Sequence, residues 1–147
     1  HHAALYSSSS QIESADKAIK TLDSIGVPMH KVIIGAAFYS FVVENVDSIN
    51  NGLGRKGKFK TNINYNKLIT DYTETKGYHY YWDSIAQAPF LYNKQLQVFV
   101  TYDDKKSVAA KTQYAIDKNL GGIMFWKLNG DTYFNGLLSA IDSVAQM

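Results

Sequence analysis

Two continuous apolar runs constrain the fold of this chain more than any other feature. They are Lys31–Tyr39 and Gly121–Trp126, and neither alternates between polar and apolar residues. Such runs are typical of strands that are buried on both faces, as in a parallel sheet covered by helices. Each run follows a segment with helical spacing, and a further helix is expected at about Leu137–Ala145. This order predicts an α/β architecture.

The helix before the first run is predicted to extend from about Ser10 to Ile25. Ser10 and Glu13 match a capping box, in which a hydroxyl and a carboxylate satisfy free backbone N–H groups. Gly26 supplies a left-handed stop. The helix before the second run is predicted from Ser107 to Lys118.

The middle of the chain, from about residue 41 to residue 104, has a different pattern. Apolar and polar residues alternate around Phe59–Tyr65 and again over Gln95–Tyr102. Alternation of this kind is typical of half-exposed antiparallel strands. A short helix fits between them at about Asn66–Tyr72. This region is therefore predicted to be an α+β insertion in an α/β chain.

Composition excludes several classes of protein. The chain has 147 residues, a formal net charge of +2 and no cysteine. The small charge excludes the strongly basic signature of an electrostatic nucleic-acid binder. The absence of cysteine excludes disulfides, thiolate metal sites and thiol nucleophiles. No apolar run approaches the roughly 20 residues that a membrane-spanning helix needs.

Three local motifs do not support the function that each one suggests. Gly52–Gly57 matches a dinucleotide fingerprint, but a strand-like stretch follows it where a helix is needed. The basic residues around Phe59 favour a solvated strand edge over a nucleic-acid site. The four histidines have no ligand spacing, so neither a metal nor any other cofactor is expected.

Asp103 and Asp104 look like a paired-carboxylate site. Adjacent residues leaving a strand point in opposite directions, so the two carboxylates would not grip one bond together. Capping of the helix that starts near Ser107 is the favoured interpretation.

Aromatic residues at the strand ends leave two interpretations open. Tyr39 ends the first apolar run and Trp126 ends the second, while Trp82 lies in the insertion. Ligands bind at the carboxyl ends of parallel strands in α/β proteins, where aromatic rings can stack on sugars. Core packing explains such residues equally well.

Several stretches resemble family 18 glycoside hydrolases, the chitinase-like TIM barrels. Gly35–Tyr39 is similar to the motif of their seventh strand, and Leu120–Trp126 to that of their eighth. Tyr102–Lys111 is similar to the segment that leads into the intervening helix. The resemblance implies the C-terminal portion of a TIM (β/α)8 barrel, with strands 7 and 8 and an inserted α+β lobe. It places barrel portions at residues 1–40 and 105–147, and the insertion at residues 41–104.

The resemblance implies a glycosidase that cleaves β-1,4-linked N-acetylglucosamine glycans such as chitin, by substrate-assisted retaining hydrolysis. By motif match, Trp126 is expected to form the floor beneath the sugar, with Tyr39 and Met124 beside it. Trp82 and Asp83 are expected to contribute from the insertion. A secreted or cell-envelope location follows from the same resemblance.

Two departures from the family pattern matter. The catalytic signature Asp-x-x-Asp-x-Asp-x-Glu does not occur in this sequence and is expected upstream of His1, so no catalytic residue is assigned and the segment alone is expected to be inactive. Ser40 and Phe41 stand where many members have Gly and a sugar-contacting Arg. A non-catalytic glycan-binding barrel is the main alternative, and a free-standing α/β interaction domain is a third.

Overall fold

In the computed structural model, which describes residues 1–146, the two apolar runs lie side by side as parallel strands. These are β1 (Ile33–Ala37) and β7 (Gly122–Trp126), paired in the register Ile34↔Ile123 through Ala37↔Trp126. The remaining strands form one antiparallel sheet in the order β3-β2-β6-β5-β4, with bounds β2 Tyr39–Glu44, β3 Lys58–Asn64, β4 His79–Asp83, β5 Ala88–Asn93 and β6 Val98–Thr101. The helices are α1 Ala15–Ser24, α2 Tyr65–Asp71, α3 Lys105–Asp117 and α4 Leu137–Ala145.

Only one face of the parallel pair is covered. Ile34 packs in a cluster with Ile19 of α1 and Tyr114 of α3, and Ala36 packs in the cluster that includes α3 and α4 residues. The opposite face is open, and Ile33, Met124 and Trp126 are all exposed there. The prediction of burial on both faces is therefore wrong for this face, because no element of residues 1–146 packs against it. The two sheets nevertheless confirm an α/β class.

The first apolar run contains a strand boundary that periodicity does not reveal. β1 ends at Ala37, and after Phe38 the chain enters β2, which belongs to the antiparallel sheet. Phe38 is completely buried, and its backbone N–H donates to the Trp126 carbonyl at 2.9 Å. The chain thus crosses from the parallel pair to the antiparallel sheet at a single residue, Phe38.

The antiparallel sheet is apolar on both faces. Its back face contributes Val42, Leu91 and Val100 to the main core, together with Leu68 of α2. The front face carries a separate cluster built around Phe90, Tyr92 and Phe99. Both β5 and β6 are buried throughout, so the half-exposed strand predicted at Gln95–Tyr102 is wrong in this respect.

The first helix starts later than predicted. It begins at Ala15, and Ser14 caps it by accepting a hydrogen bond from the Lys17 N–H at 3.2 Å. Ser10 lies instead in a turn closed by the isolated bridge between Ser8 and Gln11. The backbone N–H of Ala15 is satisfied by the Ala4 carbonyl, a tertiary partner that a local capping motif does not reveal.

The last two helices agree more closely with prediction. α4 has the predicted bounds, and α3 begins after Asp104, whose carboxylate accepts from the Ser107 N–H at 2.8 Å. The Asp104 backbone N–H donates in turn to the Ser107 hydroxyl oxygen at 3.0 Å, so Asp104 is the N-cap of a capping box and Ser107 is its N3 residue. The predicted capping role is confirmed for Asp104. Among residues 1–146, no helix is long and apolar enough to cross a membrane.

Candidate functional site

The open face of the parallel pair forms the floor of a cleft of about 700 Å³. Its floor carries Met124 and Trp126 of β7 and Gly35 of β1, and the segment around His2 closes one side. Because β1 and β7 run in the same direction, Ala37 and Trp126 lie together at their carboxyl ends. We call this the main cleft.

Trp126 is the most prominent side chain of the main cleft. It is 65% exposed although it ends a strand, and the peptide bond to Lys127 is cis. Strand alternation explains its position: Phe125 points into the core, where its ring stacks on Phe38 at 4.7 Å, so Trp126 points out. A flat apolar indole is thereby held at the end of a rigid strand with its surface accessible.

Tyr39 and Met124 also line the main cleft, so the structure brings three of the five predicted site residues together. Met124 lies opposite Gly35 in the strand register, and a side chain at Gly35 would contact the Met124 sulfur. Tyr39 is half-buried, with its ring 5.3 Å from that of His2.

Trp82 does not line the main cleft, contrary to expectation. In β4, Tyr81 points to the front face, where it stacks on Phe90, so its neighbour Trp82 points to the back. The Lys106 ammonium lies 3.8 Å from the centre of the indole ring and covers it as a cation–π partner. Packing of this half-buried indole against a cation therefore accounts for the position of Trp82.

Asp83 lies on the front face and lines a second, smaller cavity rather than the main cleft. One carboxylate oxygen accepts from the N–H groups of Ile85 and Ala86 at 2.9 and 3.0 Å. The other lies 3.2 Å from Nε2 of His1. These contacts hold the β4–β5 turn and the first residue of the chain in place.

A buried ion pair supports the main cleft from behind. Nζ of Lys111 donates to Asp103 at 2.6 Å, and the two side chains are 1% and 0% exposed. Asp103 also accepts from the Ala37 N–H at 2.9 Å and from the Ser107 hydroxyl at 2.8 Å. Since Ala37 pairs with Trp126, this carboxylate fixes the carboxyl end of β1 next to the cleft floor.

His2 separates the main cleft from the second cavity, which has a volume of about 380 Å³. Its ring stacks on Phe41 at 4.6 Å, and its Nε2 is buried without a hydrogen-bond partner in residues 1–146. Burial lowers the pKa of His2 to about 4; Lys111 reinforces this shift, while Asp103 opposes it. The imidazole is therefore neutral at physiological pH.

Neither carboxylate near the main cleft is suited to donate a proton to substrate. Asp103 is fully buried and is engaged by the Lys111 ammonium at 2.6 Å, so it does not reach the cleft. Glu13 lines the cleft but is well exposed and paired with Lys17 at 2.6 Å. In the described part of the chain, no group of three or more His, Asp or Glu side chains is placed to hold a metal ion.

Sequence reasoning missed the contributions of His2 and Lys111, and it noted Phe41 only as a departure from the family pattern. Lys111 carries a signal, because its helical spacing puts a lysine on the inward face of α3. For His2 and Phe41, the proximity depends on how the first residues of the chain cross the antiparallel sheet, and no local pattern reports that.

The geometry defines an α/β protein with an aromatic-floored cleft at the carboxyl ends of parallel strands. The chain matches the model of glycosyl hydrolases family 18 over residues 1–131, and it belongs to this family. The resemblance noted in the sequence is thereby confirmed.

Individual relatives agree with this assignment. The chain is 35% identical to Chitinase A1 of Niallia circulans over 114 residues, which is 72% of this chain and 16% of that protein. Chitinase ChiW from Paenibacillus sp. FPU-7 superposes with a TM-score of 0.93 at 37% identity, covering 100% of this chain and 18% of that one. A family 18 N-acetylglucosaminidase from Paenibacillus barengoltzii gives a TM-score of 0.88 at 32% identity, covering 98% of this chain and 43% of that one. The chain thus spans less than half the length of these relatives.

Proposed function

We propose that this chain is the C-terminal part of a chitinase-like enzyme that hydrolyses β-1,4-linked N-acetylglucosamine glycans. In this proposal, β1 and β7 are the seventh and eighth strands of a TIM barrel. Residues 1–40 and 105–147 are then barrel portions, and residues 41–104 are the inserted lobe. The observation that carries the proposal is the exposed indole of Trp126 at the carboxyl end of a parallel strand, in a member of family 18.

The open face of the parallel pair supports the barrel assignment. Inward-pointing side chains fill the interior of a TIM barrel, and helices surround it. β1 and β7 have helices on one face and only the main cleft on the other. The exposed face is therefore where the barrel interior would be, and active sites of such barrels lie at the carboxyl ends of the strands.

The chemical role of this chain is to bind and orient the sugar. In substrate-assisted hydrolysis, an acid protonates the glycosidic oxygen while the N-acetyl oxygen of the substrate attacks the anomeric carbon. The family resemblance places this acid at the end of the Asp-x-x-Asp-x-Asp-x-Glu signature, which this sequence lacks, so the proposal assigns it to an upstream part of the protein. Trp126 would stack on the apolar face of the sugar at the cleavage point, with Tyr39 and Met124 beside it. Asp83 and Trp82 have no direct part in this proposal.

The test compares the two tryptophans of the chain in the full-length protein. We expect Trp126→Ala to lower kcat/KM on chitin oligomers by about tenfold or more, because a stacking surface is lost. Trp82→Ala is the matched control and should leave kcat/KM within about twofold, since its ring contacts Lys106 instead of the main cleft. Equal losses in both variants would contradict the assignment of Trp126. The 147-residue chain by itself is expected to show no turnover.

The second candidate is a non-catalytic glycan-binding barrel. The specific observation in its favour is that the cleft floor is built from Trp126, Tyr39 and Met124, which are groups that bind without reacting. The upstream sequence discriminates: a Glu at the end of the fourth-strand signature indicates an enzyme, and its replacement indicates a binder. A secreted or cell-envelope location is part of either proposal, because an insoluble polymer is met outside the cell.

A further inference from the structure

Asp103 is a fully buried carboxylate that does not reach the main cleft, yet it contacts the strand that ends there. It belongs to an Asp-Asp pair whose second member, Asp104, caps α3. The Asp103 side chain points into the interior instead, where its Oδ2 accepts from Nζ of Lys111 at 2.6 Å and from the Ala37 N–H at 2.9 Å. Helix capping therefore accounts for Asp104 and leaves Asp103 with a separate role.

The Ala37 N–H faces the free edge of β1. Backbone N–H groups of successive strand residues point to opposite edges. The Phe38 N–H points towards β7 and donates to the Trp126 carbonyl at 2.9 Å, so the Ala37 N–H points away from β7. Among residues 1–146 no strand pairs with that edge, and the Asp103 carboxylate takes the position of a neighbouring strand's carbonyl. The end of β1 is thus held from both sides.

The position of Trp126 depends on this end of β1. Trp126 is opposite Ala37 in the strand register, and its carbonyl accepts from the Phe38 N–H. It is also the last residue of β7, so no later pair of the ladder supports it. Because its indole is 65% exposed, side-chain packing does little to fix it. The backbone contacts with β1 therefore decide where the ring lies.

Two residues of α3 hold Asp103 in one orientation. Lys111 binds Oδ2, and the Ser107 hydroxyl donates to Oδ1 at 2.8 Å. The Lys111 and Asp103 side chains are 1% and 0% exposed, so water does not compete for these contacts. Buried polar groups that satisfy one another in this way make the surrounding structure rigid. The carboxylate thereby fixes the end of β1 relative to α3.

We propose that Asp103 is a positioning residue for glycan hydrolysis. Through the Ala37 N–H it holds the end of β1 in the place that puts the Trp126 indole beneath the sugar, and Lys111 supports it by fixing the carboxylate. A misplacement of about 1 Å at a substrate-positioning group can lower the rate by up to about a hundredfold. This inference rests on the proposed function, in which Trp126 is the floor of the sugar site.

The test compares two double variants of the full-length protein that both lack the buried charges. Asp103→Asn with Lys111→Met keeps an oxygen that can accept from the Ala37 N–H, whereas Asp103→Leu with Lys111→Met has a similar shape and no acceptor. The substrate is the hexasaccharide of β-1,4-linked N-acetylglucosamine, and kinetics are measured where urea denaturation shows both proteins fully folded.

We expect the double variant with Asp103→Leu to have a kcat about five- to tenfold lower than the one with Asp103→Asn, while their KM values differ by less than about twofold. The other sugars of the hexasaccharide still bind, so the loss falls on the orientation of the sugar at the cleavage point. The double variant with Asp103→Asn should stay within about twofold of the unaltered protein in kcat.

The same comparison in a Trp126→Ala background distinguishes positioning from a merely structural role. The ring to be positioned is absent there, so the two double variants should differ in kcat by less than about twofold. An equal kcat ratio in both backgrounds would overturn the positioning role while leaving Trp126 as the sugar floor. The absence of any difference in kcat when Trp126 is present would overturn it as well.

Tyr114→Phe is the control for stability, because it removes another buried hydrogen bond of α3, the one that Tyr114 donates to Asp16 at 2.9 Å. Tyr114 packs with Ile34 and with residues of α1, away from the carboxyl end of β1. This variant should lower the free energy of unfolding and leave kcat unchanged. A loss of kcat as large as that caused by Asp103→Leu would contradict the inference. Absence of turnover by the unaltered protein, or no effect of Trp126→Ala alone, would overturn the proposed function and this inference with it.

Discussion

Replacing Lys111 with Met removes one half of a buried ion pair and leaves Asp103 in the interior without its counter-ion. Lysine and methionine side chains are similar in length, so the substitution leaves little empty space in the core. Asp103 is fully buried and lies 2.6 Å from the ammonium that would be lost. Breaking a buried pair in this way costs about 3–5 kcal/mol, because an uncompensated charge remains inside.

Two remaining contacts place the expected loss near the lower end of that range. Asp103 keeps the hydrogen bonds from the Ala37 N–H and the Ser107 hydroxyl, and both continue to stabilise its carboxylate. We therefore expect Lys111→Met to lower the free energy of unfolding by about 3 kcal/mol. Adding Asp103→Asn removes the stranded charge, and the double variant should recover to within about 1–2 kcal/mol of the unaltered protein.

The assay is urea denaturation of the full-length protein, followed by circular dichroism and by tryptophan fluorescence. Lys17→Met is the matched control, since Lys17 also lies 2.6 Å from a carboxylate, that of Glu13. That pair is exposed, with side chains 43% and 84% accessible, so its loss should cost less than about 0.5 kcal/mol. Equal costs for Lys111→Met and Lys17→Met would refute the reasoning that burial gives the ion pair its weight.

Two further predictions concern His2 and the start of α4. Because burial lowers the pKa of His2 to about 4, the unfolded chain binds more protons between about pH 4 and 6.5; the free energy of unfolding should fall by up to about 3 kcal/mol as pH falls through this window. His2→Gln should flatten this pH dependence. Identical pH profiles of the denaturation midpoint in the variant and the unaltered protein would contradict the prediction. Asp131 accepts from the N–H groups of Leu137 and Leu138 at 2.8 Å, at a helix whose N-cap glycine offers no side chain, so Asp131→Ala should cost about 1–2 kcal/mol. Asp131→Asn retains one acceptor oxygen and should lose less stability than Asp131→Ala. Equal losses of the two variants in thermal unfolding would argue against the capping role of Asp131.

Helix and strand positions were predictable where local chemistry decides them. α4 follows its apolar spacing, and Gly26 adopts the left-handed conformation expected after a helix. The start of α1 was not predictable, because the N–H of Ala15 finds its partner at Ala4 through a chain reversal. The capping box at Ser10 had the right residues but lay in a turn.

The candidate site was predictable only in part, for a related reason. Trp126, Tyr39 and Met124 lie where the ends of the apolar strands place them. Trp82 has equal aromatic character, but strand alternation turns it to the back face under Lys106. A shift of one residue in the register of β4 would have reversed the roles of Tyr81 and Trp82, and composition carries no information on that choice.

The amino-acid sequence by itself determined the α/β class, the family and the aromatic strand ends, because these depend on the order of residues along the chain. The tertiary structure alone decided which side chains meet. It joined Asp103 to Lys111 behind β1, laid His2 across Phe41, and placed the Lys106 ammonium over Trp82. Such contacts join residues from separate elements, and only the packing of those elements and the register of their strands brings them within reach.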